Sequence, residues 1–325
     1  YLDGNDTIKR TDIVRRLWLD NYFYGTIFSL QYQKNKTQLI FGGGYNAYEG
    51  KHYGKLKWAA VQAAVPQGYR WYDLTAYKKD FTVYNKWIQQ WGANWQGFAD
   101  LQFRNIHYTI NGFRDNPSMQ VREDYNFLNP KLGFTYINKG WQVYASYALA
   151  TKEPNRDDYE TGTAQLPKAE RLHDFEIGVE KKTGRYFYAA NIYYMNYKNQ
   201  LVLTGKINDV GAYARINIPK SYRTGIELQG NLKINKWVNA SANITFSQNK
   251  IKNFTEYLDD YDNGGQQTKF YSKTTISFSA STIASSSINF IPVKNGGISL
   301  LNKYVGRQYL DNTAQKSRSL DPYFL

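Results

Sequence analysis

The chain has 325 residues, a formal net charge of +14, 30 Tyr, 17 Phe, 8 Trp, 2 Met and no Cys. The lack of cysteine excludes disulfides, thiol catalysis and thiolate metal sites, and no apolar window of about 18 residues exists to form a transmembrane helix. Lys and Arg are dispersed over turns and strand ends, which argues against nucleic-acid binding. Attraction to lipopolysaccharide phosphates and a general basic bias both remain as explanations of the charge.

The first quarter of the chain combines a tight turn with a long aromatic stretch. Asn35-Lys36 is a turn signal, and the glycines at 42–44 are read as strand residues because the Lys-Ser/Thr of a phosphate loop does not follow them. Residues 46–79 are predicted to form the largest irregular connection. Aromatic rings among cations suit capture of flat or anionic ligands such as sugars, metal chelates or porphyrins; packing of the loop against its neighbours is the alternative. The candidate ligand-binding residues are Tyr45, Tyr48, His52, Tyr53, Trp58, Arg70, Trp71 and Tyr72.

Connections of two lengths alternate along the rest of the chain. Trp87, Trp91 and Trp95 stand four apart, which fits a helix or a strand face, and we favour a strand because Gly92 and Gly97 interrupt the segment. Further tight turns are predicted at Arg104-Asn105, Asn138-Lys139-Gly140, Thr183-Gly184-Arg185, Asn235-Lys236 and Lys294-Asn295-Gly296-Gly297. Longer connections are predicted over 113–127, 152–170, 205–213, 252–269 and 306–319. Alternation of short and long connections is typical of an up-and-down barrel.

Residues 238–249 show the strand pattern most clearly. Val238, Ala240, Ala242, Ile244 and Phe246 alternate with polar residues, and a period of two predicts a strand with one apolar and one polar face. Strands in globular domains have about 5–6 residues, whereas a tilted strand that crosses a bilayer needs about 9–11. The length therefore indicates a membrane strand. Similar alternation runs through 141–149, 174–180, 226–234 and 276–290.

These segments together predict an all-β fold, an antiparallel up-and-down transmembrane β-barrel with about twelve strands and a further one beginning near residue 321. The apolar faces would meet lipid and the polar faces would line an enclosed interior. The residues predicted to face this interior are Glu227, Gln229, Asn231, Lys233, Asn239, Ser241, Asn243 and Thr245.

The sequence carries no convincing catalytic or metal-binding motif. His52, His107 and His173 are far apart and lack the His-Glu-x-x-His spacing. Residues 259–264 hint at calcium but miss a carboxylate position and the distal Glu of an EF-hand loop. We therefore predict no catalytic residue, no metal and no cofactor, and the chain is not expected to be an enzyme; His52 as an iron or haem ligand is a minor alternative.

Five motifs occur in an order that resembles a known family. They are the strand pair 129–136 and 141–147, the strand-to-loop run 151–159 with its Arg-containing Pro motif, the segment 166–178 with Glu-x-Gly, the Arg-x-Gly-x-Glu strand 222–228, and the hairpin-like 302–312. This set resembles the barrel half of TonB-dependent outer-membrane receptors, particularly those of the Bacteroidota. Residues 1–128 fit by alternation alone.

The resemblance implies that residues 1–325 are a fragment of a receptor β-barrel with about 22 strands. It also implies a plug domain upstream and two closing strands downstream, which are not present. The implied function is TonB-dependent import of an iron chelate, haem or cobalamin across the bacterial outer membrane. Oligosaccharide or peptide import by the same mechanism, a passive porin or adhesin barrel, and a barrel enzyme with a clustered Ser/His or Asp/His set are the competing interpretations.

The resemblance also implies the partners. These are outer-membrane lipid and lipopolysaccharide, the receptor's own plug, TonB through an N-terminal segment, a small-molecule ligand and a surface lipoprotein. The interior-facing residues would then contact the plug or water.

Overall fold

Strands make up most of the part of the chain that the computed structural model describes, namely residues 2–3, 6–7, 10–61, 66, 68–114, 116–161, 166–207, 213–294 and 296–325. The strands are β1 Leu2–Asp3, β2 Asp6–Thr7, β3 Ile13–Lys34, β4 Thr37–Ala59, β5 Arg70–Trp91, β6 Trp95–Asn111, β7 Gln120–Asn138, β8 Trp141–Lys152, β9 Glu170–Lys182, β10 Tyr186–Ile207, β11 Tyr213–Lys233, β12 Val238–Asp259, β13 Gln266–Thr275, β14 Thr282–Val293, β15 Gly296–Val305, β16 Gln308–Tyr309, β17 Ser319–Leu320 and β18 Tyr323–Phe324. Short 3-10 segments lie at Arg156–Thr161 and Lys316–Arg318. None of the helices in these ranges has the length and hydropathy needed to span a membrane.

One antiparallel sheet holds all the long strands. Its order is β18-β15-β14-β12-β11-β10-β9-β8-β7-β6-β5-β4-β3, with β13 paired to β12, so consecutive strands are neighbours and β3 and β18 lie at open edges. Counting β13 and β14 as two parts of one ribbon, the described residues contain twelve long ribbons and the start of another at Tyr323–Phe324. The predicted all-β, antiparallel up-and-down fold and its strand number are confirmed.

Several strands are much longer than a bilayer requires. β3, β5, β10 and β12 each have 22 residues, which corresponds to roughly 70 Å at about 3.3 Å per residue. A crossing strand needs about 9–11 residues. About half of each of these four strands therefore continues beyond the lipid as a wall in water.

Strand continuation corrects several predicted loops. Residues 46–59 belong to β4 and residues 70–79 to β5, so the connection between them is 60–69 and the prediction of a loop over 46–79 is wrong. β7 begins at Gln120 and β12 extends to Asp259, which shortens the predicted loops 113–127 and 252–269 in the same way. Residues 62–65, 67, 115, 162–165 and 208–212, and Asn295 of a predicted turn, lie outside the described residues.

The predicted turn at Arg104-Asn105 is also wrong, because both residues lie within β6. The turn lies instead between β5 and β6, where Gly92 has a positive φ of 61°. The strand interpretation holds for Trp87 and Trp91, but Trp95 begins the next strand and stands directly opposite Trp91. The polar side chains of Arg104 and Asn105 have partners on opposite faces of the sheet: Arg104 contacts carboxylates, and Asn105 Nδ2 donates to Asn126 Oδ1 at 2.8 Å.

The sheet has two chemically different faces in the half of its strands that lies nearest the short turns. Gln229 stands opposite Asn243, and Leu228 opposite Ile244. The pairing continues into β14, where Ser285 is opposite Asn243 and Ala284 opposite Ile244. The alternation predicted for 226–234 and 238–249 is thus confirmed. We call the side bearing Asn243 the polar face and the side bearing Ile244 the apolar face.

The segment predicted as one strand over 276–290 is interrupted. β13 ends at Thr275 and β14 begins at Thr282, and the six residues 276–281 stand against three residues of β12, 247–249. Phe278 has a positive φ of 50°. The cause is the segment after β15: Asn312 Oδ1 accepts from Ser277 N at 2.8 Å, and the Tyr309 carbonyl accepts from Phe278 N at 2.8 Å. The prediction that apolar and polar residues alternate through 276–281 as part of one strand is therefore wrong.

Two hydrophobic clusters pack the long-loop end of the wall. The first comprises Ile110, Phe113, Met119, Val121 and Tyr159. The second comprises Val202, Ile218, Ile251, Phe254 and Ile276. Ile251 and Phe254 are three residues apart and would point to opposite faces of a regular strand. Both are buried because Asn253 between them adopts a positive φ of 54°. Asn tolerates this conformation better than most residues.

Tyrosine rings cover two glycines of the polar face. Gly178 stands opposite Tyr144, and a Cβ at position 178 would come within 2.3 Å of that ring. Gly225 likewise stands opposite Tyr193, whose hydroxyl would lie 2.7 Å from an added Cβ. The glycines of the Glu-x-Gly and Arg-x-Gly-x-Glu motifs thus leave space for neighbouring rings.

Candidate functional site

The predicted interior-facing residues form a polar ladder. All eight lie on the polar face of β11 and β12, in the opposed pairs Glu227–Thr245, Gln229–Asn243, Asn231–Ser241 and Lys233–Asn239. The ladder extends into β14, where Ser241 Oγ lies 2.7 Å from Ser287 Oγ and Asn243 Nδ2 donates to Ser285 Oγ at 2.8 Å. Asn289 Nδ2 donates to Asn239 Oδ1 at 2.9 Å. Three adjacent strands therefore present hydrogen-bonding groups on one surface.

Beside this ladder is a concavity of about 330 Å³ that includes Glu176, Asn191 and Glu227. In the described part of the chain, Glu176 and Glu227 have no ion-pair partner within 4.0 Å. The buried Asn191 Oδ1 also has no hydrogen-bond partner there. Buried polar atoms are costly without partners, so this surface is chemically suited to accept hydrogen bonds and cations from a second body.

Nearer the long loops, the polar face carries an ionic cluster. Arg104 contacts Asp80 and donates through Nη1 to Glu153 Oε2 at 2.8 Å. Lys78 Nζ donates to Glu153 Oε1 at 2.6 Å. Burial opposes ionisation of Glu153, but the Lys78 hydrogen bond and the charges of Lys78 and Arg104 outweigh it and lower the pKa of this carboxyl. The cluster therefore holds ionised groups that link β5 and β6 to the connection after β8.

That connection crosses the polar face from β5–β7 to β11. Tyr159 is fully buried, and its hydroxyl lies 2.7 Å from that of Tyr125. Asp158 accepts from Asn155 N at 2.7 Å and from Arg215 Nη1 of β11 at 3.3 Å. Burial raises the pKa of Tyr159, so the hydroxyl stays neutral. We call residues 153–159 the strap.

The candidate ligand-binding residues are divided between the two faces. Tyr48 and His52 lie on the polar face and share a partner: Tyr48 OH donates to Asn21 Oδ1 at 3.0 Å, and His52 Nε2 lies 3.1 Å from the same oxygen. Tyr72 is opposite Gly54, and Trp71 is the extra residue of a β-bulge. The Trp71 ring covers Gly54, where an added Cβ would come within 2.3 Å of it. These four residues line one stretch of wall.

The remaining four candidates lie elsewhere. Tyr45 and Tyr53 belong to the opposite face, with the Tyr53 ring stacked on Trp18 at a centroid distance of 5.9 Å. The Arg70 guanidinium lies 4.0 Å from the centroid of the Tyr53 ring. Trp58 stands opposite Val14 at the far end of β4. The predicted set is therefore not one cluster, because a strand sends alternate residues to opposite sides.

The cluster around Glu153 was missed in the sequence. Its members come from three separate segments, and Arg104 was assigned to a turn. One available signal was the pair of charged residues, Lys78 and Asp80, two apart in a strand, which places both on one face. Within the described ranges, no group of three or more His, Cys, Asp or Glu side chains is arranged to hold a metal ion.

Comparisons with known proteins agree with this architecture. Among solved structures, the chain is similar to the copper transporter OprC, with a TM-score of 0.74, 10% identity, and coverage of 96% of this chain and 48% of that one. It is similar to the FrpB iron transporter from Neisseria meningitidis, with a TM-score of 0.65, 18% identity and coverage of 94% and 47%. For the ferric yersiniabactin uptake receptor FyuA from Yersinia pestis, the TM-score is 0.64, the identity 16% and the coverage 95% and 46%.

The chain thus spans about half the length of these structures. A search of curated protein sequences gave no match. The family profile described as "TonB dependent receptor-like, beta-barrel" matches residues 1–325. The long antiparallel strands, the two-faced wall and this full-length match show that the chain belongs to the TonB-dependent receptor β-barrel family, whose members are located in the outer membrane of Gram-negative bacteria.

Proposed function

We propose that the chain forms part of the barrel wall of a receptor that imports a scarce small ligand with energy supplied through TonB. The observation that best supports this proposal is a sheet that matches the receptor β-barrel family and is apolar on one face, with the polar ladder on the other. Because the chain spans about half of the solved relatives, a plug domain upstream and closing strands downstream are part of the proposal.

The proposed cargo is an iron chelate, haem or cobalamin, with an oligosaccharide or peptide as the alternative. The similar structures include a copper transporter, an iron transporter and a ferric yersiniabactin uptake receptor, and these relatives support a metal-related cargo. Tyr48, His52, Trp71 and Tyr72 are proposed as ligand contacts, because aromatic rings and an imidazole on the polar face suit flat or anionic chelates.

The polar ladder is proposed to face the plug or lumen water. Glu176 and Glu227, with no ion pairs among the described residues, supply carboxylates for cationic side chains of the plug. Lipopolysaccharide against the apolar face and a surface lipoprotein above the long loops are further proposed partners. No reaction chemistry is required of any of these residues.

Uptake measurements test the mechanism. In a strain that lacks its own receptors, the intact receptor should import labelled ferric chelate, haem or cobalamin when TonB is present, and lose this import when TonB is deleted. An oligosaccharide or peptide taken up in the same TonB-dependent manner would replace the cargo assignment. Uptake that is equal with and without TonB would identify a passive porin and overturn the proposal.

Face-specific substitutions test the ligand contacts. Tyr48→Phe with His52→Ala should weaken binding of the imported ligand about tenfold or more, the loss expected from two polar contacts worth about 1 kcal/mol each. Tyr45→Phe with Tyr53→Phe on the opposite face is the matched control and should leave the affinity unchanged. Equal effects of the two pairs, measured by calorimetry on the purified receptor, would contradict the assignment.

A further inference from the structure

The short-turn end of the wall is strongly basic. Within three residues of the six short turns, which join β3–β4, β5–β6, β7–β8, β9–β10, β11–β12 and β14–β15, Glu180 is the one acidic residue. Nine basic residues occupy the same windows: Lys34, Lys36, Lys139, Lys181, Lys182, Arg185, Lys233, Lys236 and Lys294. We call these nine residues the basic rim.

The opposite end of the wall does not share this bias. Arg156 is followed by Asp157 and Asp158, and the β12–β13 connection contains Asp260 and Asp262 with no Lys or Arg. Some long-loop cations have carboxylate partners: Arg318 contacts Glu256 and Asp311 at 2.7 and 2.9 Å. The nine basic residues and one acidic residue of the rim windows therefore account for +8 of the chain's net charge of +14.

An aromatic belt lies directly beside the basic rim. Large rings of the apolar face near the short turns are exposed: Trp87, Trp91, Trp95, Trp141, Tyr186 and Tyr188. Trp237, in the turn between β11 and β12, is exposed as well. Lys181 Nζ lies 4.9 Å from the Trp141 ring centroid, and Lys236 Nζ lies 4.8 Å from that of Trp237. Trp and Tyr mark the membrane–water interface, so these contacts set the rim cations at the level of lipid headgroups.

We propose that the basic rim binds the phosphates of anionic glycerophospholipids in the periplasmic leaflet. Short turns are periplasmic in outer-membrane barrels, so this is the leaflet that the rim meets. Lys34, Arg185, Lys236 and Lys294 are all exposed. Like charges arranged around one rim repel each other, and phosphate groups both relieve this repulsion and accept charge-assisted hydrogen bonds. The surface prefers an anionic diacyl lipid to a zwitterionic one with the same chains.

Native mass spectrometry of the intact receptor tests the preference. The protein is equilibrated with equal amounts of phosphatidylglycerol and phosphatidylcholine of identical acyl chains. Wild type should retain the anionic lipid in about tenfold excess, since cations near an anionic lipid surface attract it and a zwitterionic headgroup carries no net charge. The variant K34Q/R185Q/K236Q/K294Q should approach parity.

A matched variant removes the same charge from the long-loop end. Lys57, Lys168, Lys220 and Lys316 are also exposed, and K57Q/K168Q/K220Q/K316Q should keep the wild-type preference. If the rim variant fails to fold, as judged by heat-modifiable gel mobility, salt titration of wild type replaces it. The preference should vanish near 1 M salt, where the Debye length falls to about 3 Å.

Parity of the two lipids in wild type would overturn the proposal. An anionic preference that survives in the folded rim variant, or that resists 1 M salt, would also overturn it. None of these outcomes depends on which ligand the receptor imports.

Discussion

Arg104 holds two carboxylates, those of Asp80 and Glu153, on a part of the polar face from which most water is excluded. The Glu153 side chain is 8% exposed and that of Arg104 is 24% exposed. Buried charges of this kind are stable only while each has its partner, since removal of one member leaves the others desolvated and unpaired.

Glu153→Gln should therefore loosen the strap. We expect the free energy for local opening of residues 153–159 to fall by about 2–4 kcal/mol, measured by amide hydrogen exchange on the intact receptor. Asp73→Asn is the control: the Arg70–Asp73 pair is equally close at 2.6 Å, but its side chains are 42% and 49% exposed. Loss of the Arg70–Asp73 ion pair should lower the free energy for local opening around that pair by about 1 kcal/mol or less. Similar losses for both variants would show that burial does not matter here.

The strap should also respond to acid through Glu153. Its pKa lies below the ordinary value of 4.5, so the strapped state binds protons less readily than the open state. This contribution to stability is complete above about pH 4.5 and disappears as the pH falls through the lowered pKa. Exchange protection of the strap, corrected for intrinsic rates, should drop in this acidic range in wild type. The drop should be smaller in Glu153→Gln, and identical profiles in the two proteins would refute the link.

Strand β9 contacts β8 through a ring placed over a glycine. Gly178→Ala would push the Tyr144 ring from the polar face, because the new Cβ would lie 2.3 Å from it. We expect a cost of about 1–3 kcal/mol in urea-dependent folding into lipid vesicles. In a Tyr144→Ala background the same substitution should cost close to nothing, which a double-mutant cycle detects. Additive effects would mean that the ring and the glycine act independently.

The predictability of each strand from sequence depends on what surrounds it. Residues 238–246 were identified because lipid on one side and water on the other impose a period of two. Residues 46–59 were not identified as a strand, because beyond the bilayer both faces of the sheet meet water. Glu49 and Lys51 therefore occupy the same side of β4 as Phe41, and the alternation of apolar and polar residues disappears. The interruption at 276–281 could not be read locally, because Asn312 produces it from 35 residues away.

The candidate site was predictable to a similar extent. The polar ladder followed from alternation, and all eight residues were placed on one face. The ligand candidates were chosen by composition within a supposed loop, which cannot distinguish Tyr48 from Tyr45. The contacts of Glu153 depend on β5 and β6, whose approach is a property of the folded sheet.

The two-sided chemistry of the complete wall gives a direct test of its orientation. Ile244 lies six residues above the start of β12, near the bilayer midplane for a strand tilted by about 40°. Ile244→Lys should cost about 2–4 kcal/mol and reduce assembly into the outer membrane. Asn243→Lys, on the polar face one residue away, should be tolerated. Folded receptor is quantified by heat-modifiable mobility in membrane extracts, and equal tolerance of both substitutions would contradict the assigned faces.

The strap has a geometric consequence for the barrel. It joins β6 to β11, which are five interstrand steps apart in the sheet, an arc of about 24 Å. The strap spans this curved part of the sheet as a chord spans an arc. Because the arc length is fixed by the strand spacing, a shorter chord means a smaller radius of curvature. Tightening or releasing residues 153–159 would thus alter the local bore of the cylinder without breaking any backbone ladder.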